Sequence, residues 1–241
     1  MSKSTVTVES VSQFVHLIES EGRSFFYRGQ SQDWPLVPSI ARVGNGGFDV
    51  LHDFETMILS EFRRLSSPYL RKIPSNTSEW VLHAQHHGLP TRLLDWTSNP
   101  LKALYFAVED KSNNSDGVVW SWDSFRVEWN EEFPNLEVEE MYFHRPTHLN
   151  DRIIAQESMF LVFPLGPGQT SIKPLDLFGL RDEGFVEKFV IPAGKKQSIR
   201  ERLDDFGINV LSMFPSITSA AALVRQEYLM DKDNGSQFSD D

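Results

Sequence analysis

The sequence predicts a single α+β domain in which a helical N-terminal half surrounds a mixed, mainly antiparallel sheet. Three observations carry this reading. Apolar residues recur at helical spacing through the first half, β-branched and aromatic runs crowd the middle, and no repeat or linker divides the chain. The 241 residues are enough to bury a core in one large domain or two small ones.

Each element has a local reason. Residues 9–19 place Val11, Phe14, Val15 and Ile18 on one helix face, with Ser10 or Ser12 as cap and Gly22 as stop. Residues 24–29 are aromatic, bounded by glycines, and read as a strand. Residues 34–42, with Pro35 and Pro38, read as extended, and Gly44 to Gly47 as a flexible loop. Residues 51–65 align Leu51, Phe54, Ile58, Phe62 and Leu65 on one helix face. A third helix is expected over 77–88, capped by Thr77 or Ser78, with Trp80, Val81 and Ala84 inward and Gly88 as its stop. Residues 89–96 read as a short strand or turn. Asn99 caps a fourth helix running to about Glu109, with Pro100 at a first position that needs no N–H. After a polar loop at 110–117, strands are expected at 118–122, 137–143, 159–163 and 185–191. The acidic, aromatic stretch 125–135 reads as a surface insertion. Helices follow at 195–206, closed by Gly207, and at 215–230, capped by Ser216. Residues 231–241 read as a disordered polar tail, leaving a domain over 1–230.

Composition narrows the function. Hydrophobic content of 40% and charged content of 24% are those of a soluble globular protein. The absence of cysteine excludes disulfides and thiolate metal sites. The polar N-terminus and the lack of any run near ~18 apolar residues predict a cytoplasmic protein with no membrane partner. A net charge of −11 argues against nonspecific nucleic-acid binding. Arg63, Arg64, Arg71 and Lys72, and again Lys195, Lys196, Arg200 and Arg202, read as solvated helix faces. A local groove for nucleic acid stays open.

Two segments carry the chemistry. Residues 85–97 hold Gln85, His86, His87, Thr91, Arg92, Asp95 and Thr97 around a short apolar turn. Polar groups in such numbers form either a hydrogen-bonded network or a site. Asp95, between apolar neighbours, needs a partner such as Arg92 or Arg28, or else ties up backbone N–H groups before the following helix. Arg28 ends an aromatic strand, where its planar fork suits a phosphate or a structural carboxylate, and Gly29 permits close backbone approach. His83 and His87 share a helix face at a spacing known from zinc sites, but no third ligand beyond Asp95 suggests itself, so no metal is expected. Gln156 and Glu157 precede an apolar strand, where adjacent side chains point to opposite faces. One of them could steady a cationic transition state, or both could belong to an ordinary turn. Phosphate-binding glycine loops and nucleophile elbows are absent.

On these residues the chain resembles the FRG domain family. The Phe-x-Arg-Gly motif stands at Phe26-Tyr27-Arg28-Gly29, followed by Gln30 and by Trp34-Pro35-Leu36-Val37-Pro38-Ser39-Ile40. The second block, Gln-His-x-Gly-x-Pro-Thr-Arg-Leu-Leu-Asp-Trp-Thr, runs from Gln85 to Thr97. Arg152, Gln156 and Phe160 form a third, and Ile191-Pro192 with Phe214-Pro215 a fourth, so the resemblance covers about 10–225. The motif order in turn resembles arginine-type ADP-ribosyltransferases. That likeness implies an ADP-ribosyltransferase-like fold and NAD as substrate. Arg28, with Gly29, would hold NAD phosphate. Asp95, Thr97 and Tyr105 would line the nicotinamide-ribose pocket, with Gln85, His86 and Arg92 on the same binding wall. Gln156 or Glu157 would stabilise the oxocarbenium-like state. Where the family commonly has Gly, this chain has Ser158.

The implied function is ADP-ribose transfer to a protein or nucleic-acid acceptor, or NAD hydrolysis, by the toxin component of a bacterial antiviral, toxin–antitoxin type system. A neutralising antitoxin or regulatory protein is the implied partner. The alternatives are a non-catalytic nucleotide- or peptide-binding sensor module, and a hydrolase using the histidines with Asp95.

Overall fold

The computed structural model describes residues 5–21, 25–43, 47–112, 114–123, 129–130, 139–146, 151–175 and 186–228. Its strands are β1 (Thr5–Thr7), β2 (Phe25–Gln30), β3 (Leu93–Thr97), β4 (Gly117–Asp123), β5 (Trp129–Asn130), β6 (Tyr142–His144), β7 (Ser158–Val162) and β8 (Val186–Ile191). They form one sheet in the order β1-β8-β4-β2-β3-β7-β6-β5. The pairs β1–β8 and β5–β6 are parallel, and the other five are antiparallel. The α-helices are α1 (Val11–Glu21), α2 (Leu51–Ser66), α3 (Thr77–His86), α4 (Pro100–Val108), α5 (Asp151–Gln156), α6 (Lys196–Asp205), α7 (Val210–Met213) and α8 (Ile217–Tyr228). This is the predicted α+β architecture with a mixed, mainly antiparallel sheet.

Alternation along the strands sorts side chains onto two faces. Phe26, Leu94, Trp96, Trp120, Trp122 and Met159 gather in an aromatic core with Leu51 and Phe54 of α2. Tyr27, Val119 and Phe189 pack instead with Phe14, Ala103, Ala107 and Ile199. At the other end of the sheet, Leu93, Phe160 and Val162 pack with Val81, Leu82 and Ala84 of α3. β4 is buried on both faces, which is why apolar residues run together from Val118 to Trp120 and Ser121 is buried among them.

Helix α4 lies so close to the sheet that glycine is required beneath it. A Cβ on Gly29 would sit 1.8 Å from the Ala103 carbonyl oxygen, and one on Gly117 would sit 2.2 Å from that of Ala107. The tight approach anticipated at Gly29 is therefore to a helix backbone.

Strands β2 and β3 meet at a single rung, Tyr27 opposite Thr97. On either side the ladders are long: β2 pairs with β4 from Phe25 to Gln30, and β3 with β7 from Leu93 to Thr97. The sheet thus consists of two halves joined at a one-residue seam.

Several expectations are corrected. The cap of α3 is Asn76, whose side chain accepts the Glu79 N–H at 2.9 Å, in place of Thr77 or Ser78. Leu65 is 57% exposed because α2 has passed the edge of the core, and Leu59 is buried instead. Residues 39–41, expected to be extended, form a 3-10 turn. The strand expected at 137–143 is the shorter β6, with Glu139 and Glu140 in a bend before it. β1, α5 and α7 are too short to leave a periodic signal. The helical N-terminal half supplies β2 and β3, the centre of the sheet. Gly22, most of the Gly44–Gly47 loop, most of the 125–135 insertion and the 231–241 tail lie outside the described residues.

Candidate functional site

Where β2 and β3 part beyond their single rung, a cleft of about 620 Å³ opens, bounded by α3, α4, α5 and β7. That is the size of a small-molecule site. Arg28, Gly29, Gln85, His86, Asp95, Thr97 and Gln156 all line it. Three widely separated segments of sequence thus converge on one cavity.

Arg28 reaches over the seam. Its Nη1 donates to the Asp95 carbonyl oxygen at 2.6 Å and lies 3.8 Å from the Asp95 carboxylate. The side chain is 11% exposed, and its buried Nε has no hydrogen-bond partner. Burial pulls its pKa down to about 10; the Asp95 charge opposes this and Arg42 adds to it. The guanidinium therefore stays charged at neutral pH, and it lines the cleft. Gln30, which also lines the cleft, accepts from Trp120 Nε1 at 2.9 Å through its side-chain oxygen, while its buried Nε2 has no partner.

The Asp95 carboxylate, 54% exposed, is held in place. Gln85 Nε2 donates to it at 2.9 Å, and Gln85 Oε1 accepts from Thr91 Oγ1 at 2.6 Å. Thr91 Oγ1 in turn accepts the Leu93 N–H at 3.2 Å. Since the Thr91 hydroxyl needs an acceptor, the Gln85 amide can only present its NH₂ to Asp95. Part of the polar cluster is thus a network that aims one carboxylate.

On the opposite wall, Arg152 of α5 stacks 4.7 Å from the centre of the Phe214 ring. Its Nη1 makes a long 3.5 Å contact with the His86 carbonyl oxygen. Burial lowers the pKa of His86, and the charges of His87, Arg152 and His83 lower it further, so the ring is neutral at pH 7. Phe106 of α4 and Trp34 supply aromatic surface, and Arg42 brings a second cation to the Arg28 side.

Some residues expected in the site do other work. Arg92 is buried on Glu55 of α2, with Nε donating to Oε2 at 2.7 Å and its own backbone N–H donating to Oε1 at 3.0 Å; it does not line the cleft. Tyr105 packs its ring against Phe106 and Phe214, and Phe106 takes its expected place on the wall. Burial, mainly, pushes the Tyr105 hydroxyl up to about 12. Thr97 reaches the cleft, but its hydroxyl donates to the Gln156 carbonyl at 2.7 Å and accepts the Asn99 N–H at 3.0 Å.

The Gln156–Glu157 pair resolves clearly. Gln156 lines the cleft, though its Nε2 donates to the Met213 carbonyl at 3.1 Å. Glu157, with φ of +49°, turns outward. Lys102 Nζ at 2.8 Å, Asn99 Nδ2 at 3.1 Å and Ser98 Oγ at 3.3 Å hold it there. Partial burial pushes its pKa up, but these bonds outweigh that and leave it below the ordinary value.

Sequence reasoning missed Glu109, Arg42 and the part played by Arg152. Glu109 follows the last turn of α4 and lines the cleft near Arg152. Burial pushes its carboxyl up to about 7, opposed by Arg152 and assisted by Asp110. A Glu at a helix end ordinarily reads as solvated, so no spacing signal marked it. Among the described residues no cluster of three or more His, Cys, Asp or Glu side chains is placed to hold a metal ion, and no helix is long and apolar enough to cross a membrane.

Comparison with known proteins adds one finding. The FRG domain family model matches residues 23–116, which run from β2 through α4 and supply the Arg28, Gln85 and Asp95 side of the cleft. The wall made by α5 and β7 lies beyond the match. No curated protein and no solved structure matches the chain.

Proposed function

Taking residues 23–116 as an FRG domain, we propose that the cleft binds NAD and that the protein transfers ADP-ribose from it to a protein or nucleic-acid acceptor. One observation carries the reading most: Arg28 is buried at the cleft with an unpartnered Nε, and Arg42 lies beside it, in a chain of net charge −11. Cations gathered in an acidic protein suit a polyanion, and a pyrophosphate spanning Arg28 and Arg42 would meet two positive charges. Trp34 and Phe106 offer ring faces on which an adenine or a nicotinamide could stack. Asp95, fixed by Gln85, lies close enough to the arginines to share a ribose with them as hydrogen-bond acceptor.

The reaction needs little from the protein beyond positioning and charge. As the nicotinamide–ribose bond breaks, positive charge grows on the sugar, and a carboxylate fixed nearby stabilises it. Asp95 is the group we assign to that role. A neutral His86 on the cleft wall donates or accepts one hydrogen bond without adding charge. An enzyme that consumes NAD harms its own cell, so the proposal includes a toxin role and a neutralising protein partner.

The test is direct. Purified protein is incubated with NAD labelled on the adenylate, together with cell lysate or RNA, and nicotinamide release and label transfer are followed. Arg28→Ala should lower both sharply when NAD is limiting. If the wild-type protein, freed of any bound partner, shows neither, the enzymatic reading fails. A second reading, that of a binding module without catalysis, draws on the placement of Glu157 outside the cleft and of the Gln156 amide on a backbone carbonyl. It predicts NAD binding without turnover.

A further inference from the structure

The carboxylates around the cleft differ in how far they are committed. Asp95 is held by Gln85 and lies against Arg28. Asp110 caps its own turn, accepting the Ser112 N–H at 3.0 Å and the Ser112 hydroxyl at 2.7 Å. Glu157 faces outward on three donors, and Glu55 is locked to Arg92. Glu109 alone of these has no hydrogen bond and no ion pair among the described residues, although it is half-buried and lines the cleft. A half-buried carboxylate without a donor is costly, and such a group inside a ligand-sized cleft is one that a substrate engages.

We propose that Glu109 is the general base of the transfer step, taking the proton from the acceptor as it attacks the ribose. The inference rests on the ADP-ribose transfer reading and assigns a catalytic residue within it. In the step, the bond from ribose C1′ to the nicotinamide nitrogen breaks, and nicotinamide leaves with the electron pair. The acceptor's hydroxyl or amine forms a new bond to C1′, and its proton passes to a Glu109 carboxylate oxygen. Neutral nicotinamide, ADP-ribosylated acceptor and protonated Glu109 result, and solvent later removes the proton. Two carboxylates thus divide the work: Asp95, fixed and close to cations, faces the charge that develops on the sugar, while Glu109 is free to gain and lose a proton. Its surroundings support this, since burial raises its pKa to near the working pH, where a base is most effective. The charged and titratable groups around it are Arg152 from α5, Asp110 from the next loop, Tyr105 from its own helix, and Arg200 from α6, which donates to the neighbouring Val108 carbonyl.

The experiment compares wild type with Glu109→Gln from pH 5.5 to 8.5, measuring label transfer, NAD affinity by calorimetry, and melting temperature. The expected result is a transfer rate lowered by about 10²-fold or more in the variant, the scale of general-base catalysis. NAD affinity should stay within about twofold, while the wild-type rise in rate through neutral pH should vanish. Formate should restore part of the rate in Glu109→Ala. Unchanged transfer with the same pH profile in Glu109→Gln overturns the inference while leaving the NAD reading intact. So does a loss of affinity and melting temperature in step with rate, which marks a structural role. A wild-type protein that neither binds nor cleaves NAD overturns both.

Discussion

At the scale of single residues, the site depends on which polar atoms are already spoken for. Arg28 Nη1 is occupied by the Asp95 carbonyl, and its Nε is not occupied. Loss of the guanidinium therefore removes a charge-assisted donor and weakens NAD binding by about 10- to 100-fold, from the ~1.5–3 kcal/mol such bonds contribute. Arg28→Lys should recover only part, since an ammonium cannot both hold the carbonyl and present a second donor in the same plane. Calorimetric titration of the three proteins checks this, and equal affinities would contradict it. Glu157 makes the opposite case. It is exposed and tied only to the start of α4, so Glu157→Ala should leave NAD affinity unchanged and cost stability by no more than about 1 kcal/mol, read from chemical denaturation.

At the scale of elements, α4 is the piece on which the rest is set. Asn99 caps it, Pro100 opens it, and two glycines let it lie against the sheet. Gly29→Ala should destabilise by about 3 kcal/mol or more, because the atoms met at 1.8 Å and 2.9 Å belong to helix backbone that cannot swing aside. A thermal melt reads this, and an unchanged melting temperature would refute the packing argument. Breaking the buried pair with Glu55→Gln leaves Arg92 without its counter-charge and should cost roughly 3–5 kcal/mol.

The same elements show what the sequence made legible. The cap and proline of α4, the aromatic strand β2 and the Gln85–Thr97 block each carry local signals that the structure bears out as elements of the fold. The Asn76 cap was hidden among neighbouring Ser and Thr residues able to do the same work. Helix α5 has only six residues, so Gln156 and Glu157 could be judged only by strand alternation, and the positive φ of Glu157 sends its side chain elsewhere. Arg92 and Asp95 are three residues apart with similar polarity. Only the pairing of β3 with β7 and the position of α2 decide that one is locked in the core and the other faces the cleft.

At the scale of the molecule, stability and pH are linked through Glu109. Its folded pKa of about 7 lies above its ordinary 4.5, so between those values the folded state holds a proton that the unfolded chain has released. Stability must then fall as pH rises through that window and level off above it, by on the order of 2 kcal/mol after allowance for partial exposure. Glu157, held below 4.5, contributes the opposite slope at more acidic pH, which keeps the two effects apart. Urea unfolding at pH 5, 6, 7 and 8 should show the decline in wild type and a flatter profile in Glu109→Gln. Parallel profiles would mean that the carboxyl is not perturbed by folding.

The single rung between Tyr27 and Thr97 has a mechanical meaning. The two well-laddered halves share fewer backbone bonds at this rung than either has within itself, and the cleft opens beside it. Arg28 stands on one half and Asp95 on the other, so the bond from the Arg28 guanidinium to the Asp95 carbonyl is a side-chain stitch across a sparsely laddered part of the sheet.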